Sequence, residues 1–169
     1  MEEVFYMTKN LIVRGAPQEY EIKENAWDSL PEHLYKRHID NVLILHGKTS
    51  WKAVKDDFPE LSITKLFEYY GGECTDPLAD SFVSLCKKKD FNGIIAVGGG
   101  KVADLGKLIA YKTNLPIIIL PTLAATCAAY TPLSVVYNEE GVMLRYDMFP
   151  KANDLVLIDP KIILHSPRE

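Results

Sequence analysis

Short apolar runs alternate with stretches of amphipathic spacing along most of this chain. The clearest runs of aliphatic and β-branched residues occupy residues 42–45, 94–97, 116–120 and 155–158. Between them, apolar residues recur every three or four positions, which is the period of a helix with one buried face. Strands that alternate with helices predict an α/β fold, a doubly wound parallel sheet with helices on both sides.

Shorter patterns predict the remaining elements. The other strands are expected at 11–13 and 20–22 as edge strands, at 63–69, and at 133–137 and 142–146 as a β-hairpin. Helices are expected at 27–38, at 51–57 with Ser50 as the N-cap, at 76–88, and directly after the apolar run that ends at 97. No repeat or linker-like composition interrupts this order, so we expect one domain over residues 1–169.

Three consecutive glycines, Gly98, Gly99 and Gly100, end one of the buried runs, and Lys101 and a helical pattern follow them at once. A strand, a glycine turn and a helix bring backbone N–H groups and a helix N-terminus up to a phosphate group. Glycine suits this place because a Cβ would block the approach of the ligand. The sequence therefore predicts the pyrophosphate site of a dinucleotide here, and a glycine-rich turn without a ligand is the alternative.

Two phosphate-binding patterns can be tested on this turn. The P-loop pattern fails, because no Ser or Thr follows Lys101. The pattern G-x-G-x-x-G/A is met by Gly98, Gly100 and Ala103. An ordinary dinucleotide-binding unit would show an acidic residue at the end of the next strand, and none follows residues 116–120.

Composition narrows the class of protein. The chain has 169 residues, 47% hydrophobic and 25% charged, with a formal net charge of −4. This balance gives no electrostatic reason to expect nucleic acid or an anionic membrane as a partner. Cys74, Cys86 and Cys127 show no metal-binding spacing, and their odd number argues against a disulfide framework. We expect no membrane-spanning segment and a cytoplasmic protein.

Two runs carry a resemblance to a known family: GGGKVADLGK at 98–107 and PTLAATCAAYTPLSVVY at 121–137. The chain resembles the N-terminal domain of the glycerol-dehydrogenase-like, metal-dependent (iron-containing) alcohol dehydrogenases, which share their Rossmann-like fold with dehydroquinate synthase. The resemblance is specific over residues 93–167. It implies a helical C-terminal domain that this chain lacks, and a homo-oligomer for the intact protein.

The resemblance implies a set of cofactor-binding positions. The adenosine ribose would be contacted by the turn at Gly47 and Lys48, and the pyrophosphate by the glycine turn, with Asp104 close to the cofactor. The positions that match the lining of the nicotinamide half are Thr122, Ala125, Thr131, Leu133 and Tyr137.

Two departures from the family pattern bear on specificity. NAD-using relatives tend to carry an aspartate where Gly47 stands, and a carboxylate would repel a 2′-phosphate, so Gly47 with Lys48 favours NADP(H) over NAD(H). A turn without such a role is the alternative. Glycerol dehydrogenases carry an aspartate where Cys127 stands, so the thiol favours a substrate with its own carboxylate. This points to the hydroxycarboxylate dehydrogenase branch, with a buried structural cysteine as the alternative.

The resemblance also implies a divalent metal, zinc or iron, that polarises the substrate oxygen. Its ligands would come from the helical domain, and the histidines of this chain match none of them. His33 and His38 share a predicted surface helix, and we expect both to be solvated. We therefore expect no catalytic residue and no metal ligand in this chain.

The sequence thus predicts the cofactor-binding half of an NAD(P)H-dependent, metal-dependent oxidoreductase of small hydroxy acids and 2-oxo acids, inactive on its own. A glycerol or polyol dehydrogenase is the first alternative. A standalone nucleotide-binding module without catalysis is the second, and dehydroquinate synthase or a glycerol-phosphate dehydrogenase ranks below both.

Overall fold

The computed structural model describes residues 13–165. The strands are β1 (Tyr20–Ile22), β2 (Asn41–His46), β3 (Thr64–Tyr69), β4 (Gly93–Gly98), β5 (Ile117–Pro121), β6 (Leu133–Tyr137), β7 (Met143–Met148) and β8 (Leu155–Ile158). The helices are α1 (Leu30–Lys36), preceded by a 3₁₀ turn (Ala26–Ser29), α2 (Lys48–Val54), α3 (Asp76–Lys89), α4 (Gly100–Thr113) and α5 (Pro160–Leu164). Within residues 13–165, no helix combines the length and the apolar character needed to cross a membrane.

Six strands form one parallel sheet in the order β1-β8-β5-β4-β2-β3, and β6 pairs with β7 in a separate antiparallel hairpin. The predicted doubly wound layer and the added hairpin are both confirmed. The predicted strand at 20–22 is an edge strand, as expected, whereas the one at 11–13 lies largely outside the described residues.

The core has two layers, one on each face of the sheet. Helices α3 and α4 cover one face, where Phe82 and Leu105 pack with Leu43 of β2. The 3₁₀ turn, α1, α2 and α5 cover the other face, where Trp27 and Leu34 lie among the buried residues. Strand β4 is buried at every position, because it lies in the middle of the sheet with helices on both sides.

Two local predictions differ from the structure. Helix α2 begins at Lys48 rather than at 51, because the carbonyl of Gly47 accepts the N–H of Trp51 at 3.0 Å, and no side chain caps this end. Ser50 therefore lies inside the helix and is not its N-cap. Helix α5 was not predicted, although Asp159 caps it by accepting the N–H of Lys161 at 2.9 Å.

Candidate functional site

The direction of the chain reverses between two adjacent strands in the middle of the sheet. From β2 the chain moves outward to β3, whereas from β4 it moves the opposite way to β5. The helices that follow these two strands lie on opposite faces, since Val54 of α2 and Val102 of α4 belong to different core layers. Ligands of open parallel sheets bind at such a reversal, outside the carboxyl ends of the strands.

The strand register brings three predicted segments to this same edge. His46 pairs with Val97, and Gly98 pairs with Pro121, so β2, β4 and β5 end side by side. The N–H of Thr122 donates to the carbonyl of Gly98 at 3.1 Å, which ties the turn after β5 to the turn after β4. The structure therefore places the Gly47 turn, the glycine turn (residues 98–101) and Thr122 together.

The glycine turn is shaped by close packing around its backbone. Gly98 has a φ of 153°, and a Cβ there would lie 2.8 Å from Cγ2 of Val102. A Cβ on Gly99 would lie 3.0 Å from Leu123, and one on Gly100 would lie 3.3 Å from the hydroxyl of Thr126. Gly99 is the N-cap of α4, and no side chain occupies that end of the helix with a capping hydrogen bond. This cradle suits a phosphate group, which the free N–H groups of the first helical turn would bind.

A cavity of about 500 Å³ opens beside this cradle, between α2, the turn after β5 and α5. Ser50 of α2, Gly99 and Thr122 line it together with two basic residues of the last helical segment, Lys161 and His165. The cavity joins the glycine turn to the α2 side of the sheet, where the adenosine half of a dinucleotide is expected.

The two basic residues predicted at the site already have partners. Lys48 Nζ lies 4.6 Å from the centre of the Tyr69 ring. Lys101 pairs with the carboxylate of Glu73 and lies 5.7 Å from the ring of Tyr137. The hydrogen bond with Glu73 raises the pKa of Lys101. A bound phosphate would therefore compete with Glu73 for the Lys101 ammonium.

The predicted nicotinamide-side residues lie along α4. We name residues 122–132 the β5–β6 loop. Thr126 of this loop lies against Gly100, where a Cβ would come within 3.3 Å of the Thr126 hydroxyl. Strand β6 then runs back along α4, so that Tyr137 lies beside Lys101 near the glycine turn. Leu133, at the other end of β6, lies next to Lys107. The structure thus brings Tyr137 to the glycine turn and leaves Leu133 about two helical turns away from it.

Asp104 and Cys127 differ in exposure. Asp104 is buried, and its Oδ2 accepts the N–H of Val135 at 3.2 Å while its Oδ1 lies 3.0 Å from Lys107 Nζ. These partners hold the hairpin and do not support the predicted contact with a cofactor. Cys127 is exposed in the β5–β6 loop, which rules out the alternative of a buried structural cysteine, whereas Cys74 and Cys86 are buried.

Sequence reasoning missed the role of Lys107. Its side chain is buried, and its Nζ donates to carbonyls of the β5–β6 loop and of Leu133. A lysine amid the buried residues of α4, three residues after an aspartate, was the available signal. That signal was ambiguous, because the strand that covers this face of α4 begins 26 residues later.

One cluster of acidic and histidine side chains could share a metal ion, and it lies away from the glycine turn. Within residues 13–165, the one group of three or more His, Cys, Asp or Glu side chains close enough to share an ion is Glu19, Glu21 and His33, at edge strand β1, three strands from β4. Arg37 contacts Glu19 at 2.6 Å and His33 Nδ1 at 3.0 Å, and Lys23 pairs with Glu21 at 2.9 Å. These cations already balance both carboxylates.

The same cluster corrects the prediction for His33. Its side chain is buried, with 3% of the residue exposed, because β1 brings Glu21 to its Nε2 at 2.8 Å. Although burial raises the pKa of Glu21, hydrogen bonds from Lys23, His33 and Ser29 bring it down to about 2. His38 is exposed, as predicted.

The chain matches a known protein family and a known relative over most of its length. Residues 17–160 match the family described as iron-containing alcohol dehydrogenase. Hydroxycarboxylate dehydrogenase A of Escherichia coli K12 is 49% identical over 155 residues, which cover 90% of this chain and 42% of that protein.

Solved structures show the same fold. A probable glycerol dehydrogenase from Sinorhizobium meliloti superposes with a TM-score of 0.82 at 28% identity, over 92% of this chain and 43% of that one. A sulfoacetaldehyde reductase from Bifidobacterium kashiwanohense in complex with NAD⁺ gives a TM-score of 0.77 at 17% identity, over 94% of this chain and 48% of that one. The chain spans less than half the length of each of these proteins.

Proposed function

Because the chain belongs to the iron-containing alcohol dehydrogenase family, we propose that it is the cofactor-binding part of an NAD(P)(H)-dependent oxidoreductase of small hydroxy acids and 2-oxo acids. The observation that carries the proposal is the cradle of Gly98, Gly99 and Gly100 at the point where the sheet reverses direction. Backbone N–H groups at the start of α4 would bind the pyrophosphate. Bound nicotinamide would supply the hydride acceptor or donor.

The adenosine end of the site supports NADP(H) over NAD(H). Gly47 has no carboxylate to accept a ribose 2′-OH, and Lys48 begins α2 next to it. The ammonium of Lys48 would leave the Tyr69 ring to pair with a 2′-phosphate, which carries about two negative charges near neutral pH. The NAD⁺ in the sulfoacetaldehyde reductase complex supports a nicotinamide cofactor in general and favours neither form here.

The substrate class rests on the β5–β6 loop. Cys127 is exposed there and brings no negative charge, so a substrate carboxylate would meet no repulsion. The 49% identity to hydroxycarboxylate dehydrogenase A supports the same class. A glycerol-type polyol dehydrogenase is the second candidate, supported by the similarity to the probable glycerol dehydrogenase of S. meliloti.

The role of this chain in the reaction would be to bind and orient the cofactor. Among residues 13–165, the one group of three or more potential metal ligands lies beside β1, away from the cofactor edge, and the family resemblance assigns the metal ligands to a helical domain. We therefore expect this chain to bind nucleotide without turning over substrate. Steady-state assays with 2-oxoglutarate or glycerol as substrate test that expectation, and measurable turnover would contradict it.

The main test is a fluorescence titration of the chain with NADPH and NADH in parallel, for the unchanged protein and for Gly47→Asp. We expect the unchanged protein to bind NADPH more tightly. In Gly47→Asp, NADPH affinity should fall by about tenfold and NADH affinity should rise, because a carboxylate repels the 2′-phosphate and accepts the 2′-OH. The backbone tolerates the change, since Gly47 has a φ of −83° and the nearest obstacle is the mobile hydroxyl of Ser50.

Gly47→Asn is the matched control, because it adds the same bulk without the charge. Gly47→Asn should change the ratio of NADPH to NADH affinity less than Gly47→Asp does. Tighter binding of NADH by the unchanged protein would keep the dinucleotide site and overturn the NADP(H) preference. If the unchanged protein binds neither nucleotide, this chain does not form the dinucleotide site by itself. Either other parts of a longer protein complete the site, or the chain is a module without this function.

A further inference from the structure

One buried ammonium group gathers the backbone of the β5–β6 loop. Lys107 Nζ donates to the carbonyl oxygens of Ala128 at 2.8 Å and Thr131 at 3.2 Å, and also to that of Leu133. Its side chain is 2% exposed. A lysine suits this position because its ammonium carries three donors on a compact charge, which can face carbonyls from several directions.

The loop has no regular secondary structure that would fix its shape otherwise. Its internal hydrogen bonds are local: the N–H groups of Tyr130 and Thr131 donate to the carbonyl of Cys127 at 2.9 and 3.1 Å. Lys107 thus supplies a long-range connection between the loop and α4. Two further long-range hydrogen bonds reach the same stretch: the N–H of Phe149 donates to the carbonyl of Pro132 at 2.7 Å, and the side-chain amide of Asn153 donates to the carbonyl of Ala129. Lys107 shares with them in fixing the loop, and because it contacts two loop carbonyls at once, its loss should loosen the residues around them.

Asp104 completes the arrangement from the preceding turn of α4. Its carboxylate lies 3.0 Å from Lys107 Nζ and also accepts the N–H of Val135 in β6. Burial raises the pKa of Asp104 and lowers that of Lys107, and each charge offsets part of that cost for the other. The carboxylate therefore serves as counter-ion to the ammonium and as a second fastening of the hairpin to the helix.

We propose that Lys107, with Asp104 as its counter-ion, is a positioning residue that fixes the β5–β6 loop in the shape that receives the nicotinamide half of the cofactor. The inference rests on the proposed function, because Thr131 and Leu133, whose carbonyls Lys107 binds, are among the positions expected to line that half. Lys107 itself touches no reacting atom. Its effect should therefore appear in the nicotinamide half and spare the adenosine half.

The test compares two ligands on two variants. Lys107→Met removes the ammonium and keeps the length of the side chain, whereas Ser134→Ala removes a buried bond of 2.8 Å between β6 and the Asp104 carbonyl without touching the loop. We expect Lys107→Met to weaken NADPH by about tenfold or more, since buried carbonyls lose their donors and the loop loses its shape. ADP, which lacks the nicotinamide half, should bind within about twofold of the unchanged protein. Ser134→Ala should change neither affinity beyond that range.

A second measurement needs no nucleotide. In hydrogen exchange, the Tyr130 and Thr131 amides should exchange at least about tenfold faster in Lys107→Met, while amides of β4 keep their protection. Lys107→Met leaves the Asp104 carboxylate without its counter-ion. If the variant does not fold for that reason, both measurements are repeated on the double variant Asp104→Asn, Lys107→Met, which removes the charge.

For Lys107→Met, each of these results would overturn the proposal: unchanged loop exchange, a parallel rise in loop and β4 exchange, or an equal loss of ADP and NADPH affinity. A loop response in Ser134→Ala as large as that in Lys107→Met would also do so. If the unchanged protein binds neither nucleotide, the proposed function fails, and the exchange measurement still decides whether Lys107 positions the loop.

Discussion

The glycine turn and the β5–β6 loop meet at one edge of the sheet, yet the first is shaped by close backbone packing and the second by a buried ammonium. In the turn, a Cβ on Gly98 or Gly99 would come within 3.0 Å of a neighbouring side chain, so the absence of side chains makes its shape possible. In the loop, one side chain, Lys107, binds carbonyls from residues that are far from it in sequence. A cradle made by packing depends on the side chains around it, whereas a loop held by a few long-range hydrogen bonds can be loosened by one substitution that removes several of them.

The strongest test of this contrast is Gly98→Ala. A φ of 153° strains any residue with a Cβ, and the new Cβ would lie 2.8 Å from the stiff, β-branched side chain of Val102. We expect the free energy of unfolding to fall by roughly 2–4 kcal/mol, because backbone strain and overpacking add. Urea denaturation followed by circular dichroism measures this loss.

Gly15→Ala is the matched control, because a Cβ there meets nothing within 4 Å. It should change the free energy of unfolding by less than about 0.5 kcal/mol. If Gly98→Ala were as mild as this control, the turn would be adaptable, and its difference from the β5–β6 loop would disappear.

Gly99→Ala separates the cradle from the stability of the fold. Gly99 has a φ of −88°, which alanine accepts, and its Cβ would lie 3.0 Å from the end of the flexible Leu123 side chain. We expect the free energy of unfolding to change by less than about 1 kcal/mol, while ADP and NADPH both bind about tenfold more weakly, because the methyl group blocks the pyrophosphate. Calorimetric titration with each ligand measures the effect.

Equal losses for the two ligands are the signature expected of the cradle, in contrast to Lys107→Met, which should spare ADP. A Gly99→Ala protein that weakens NADPH alone would place the pyrophosphate elsewhere. Together the two variants separate the binding of the pyrophosphate, which both ADP and NADPH carry, from the binding of the nicotinamide half, which only NADPH carries.

The same contrast explains what the sequence could predict. Local patterns predicted the strands of the sheet and the glycine turn. A buried apolar run that ends in Gly98, Gly99 and Gly100 indicates by itself that a strand stops there and a turn follows. The start of α2 was misplaced because Ser50 is the better capping residue, although the backbone of Gly47 begins the helix. The burial of His33 and the contacts of Lys107 depend on partners far along the chain, which no local pattern contains.

The predicted cofactor-binding residues differ in how far their positions follow from the sequence. The neighbourhood of Gly47, Gly98 and Thr122 follows from the parallel register, because the carboxyl ends of adjacent strands meet at one edge. The position of Tyr137 beside Lys101 required the path of the hairpin along α4, which periodicity does not give. Direct cofactor contacts by these residues stay predictions until nucleotide binding is measured.

The smallest expected effect concerns the one charged side chain of the glycine turn. Lys101 pairs with Glu73, and the two side chains are 51% and 28% exposed, so solvent screens the pair and a phosphate can displace it at modest cost. Glu73→Gln frees the ammonium and removes a charge that repels the pyrophosphate. We expect ADP and NADPH to bind about two- to fivefold more tightly, with a steeper loss of affinity as salt is added.

Asp80→Asn is the control for this change, because it breaks a lysine–carboxylate pair of 2.7 Å with Lys112 that lies in the outer part of α3 and α4, away from the glycine turn. Titrations at two salt concentrations should show no effect of Asp80→Asn on either ligand. If Glu73→Gln also leaves both affinities unchanged at low salt, Lys101 contributes no charge to binding, and the cradle acts through its backbone alone. If it weakens binding instead, Glu73 orients Lys101 toward the phosphate, and a side-chain contact then shapes the turn as well as the loop.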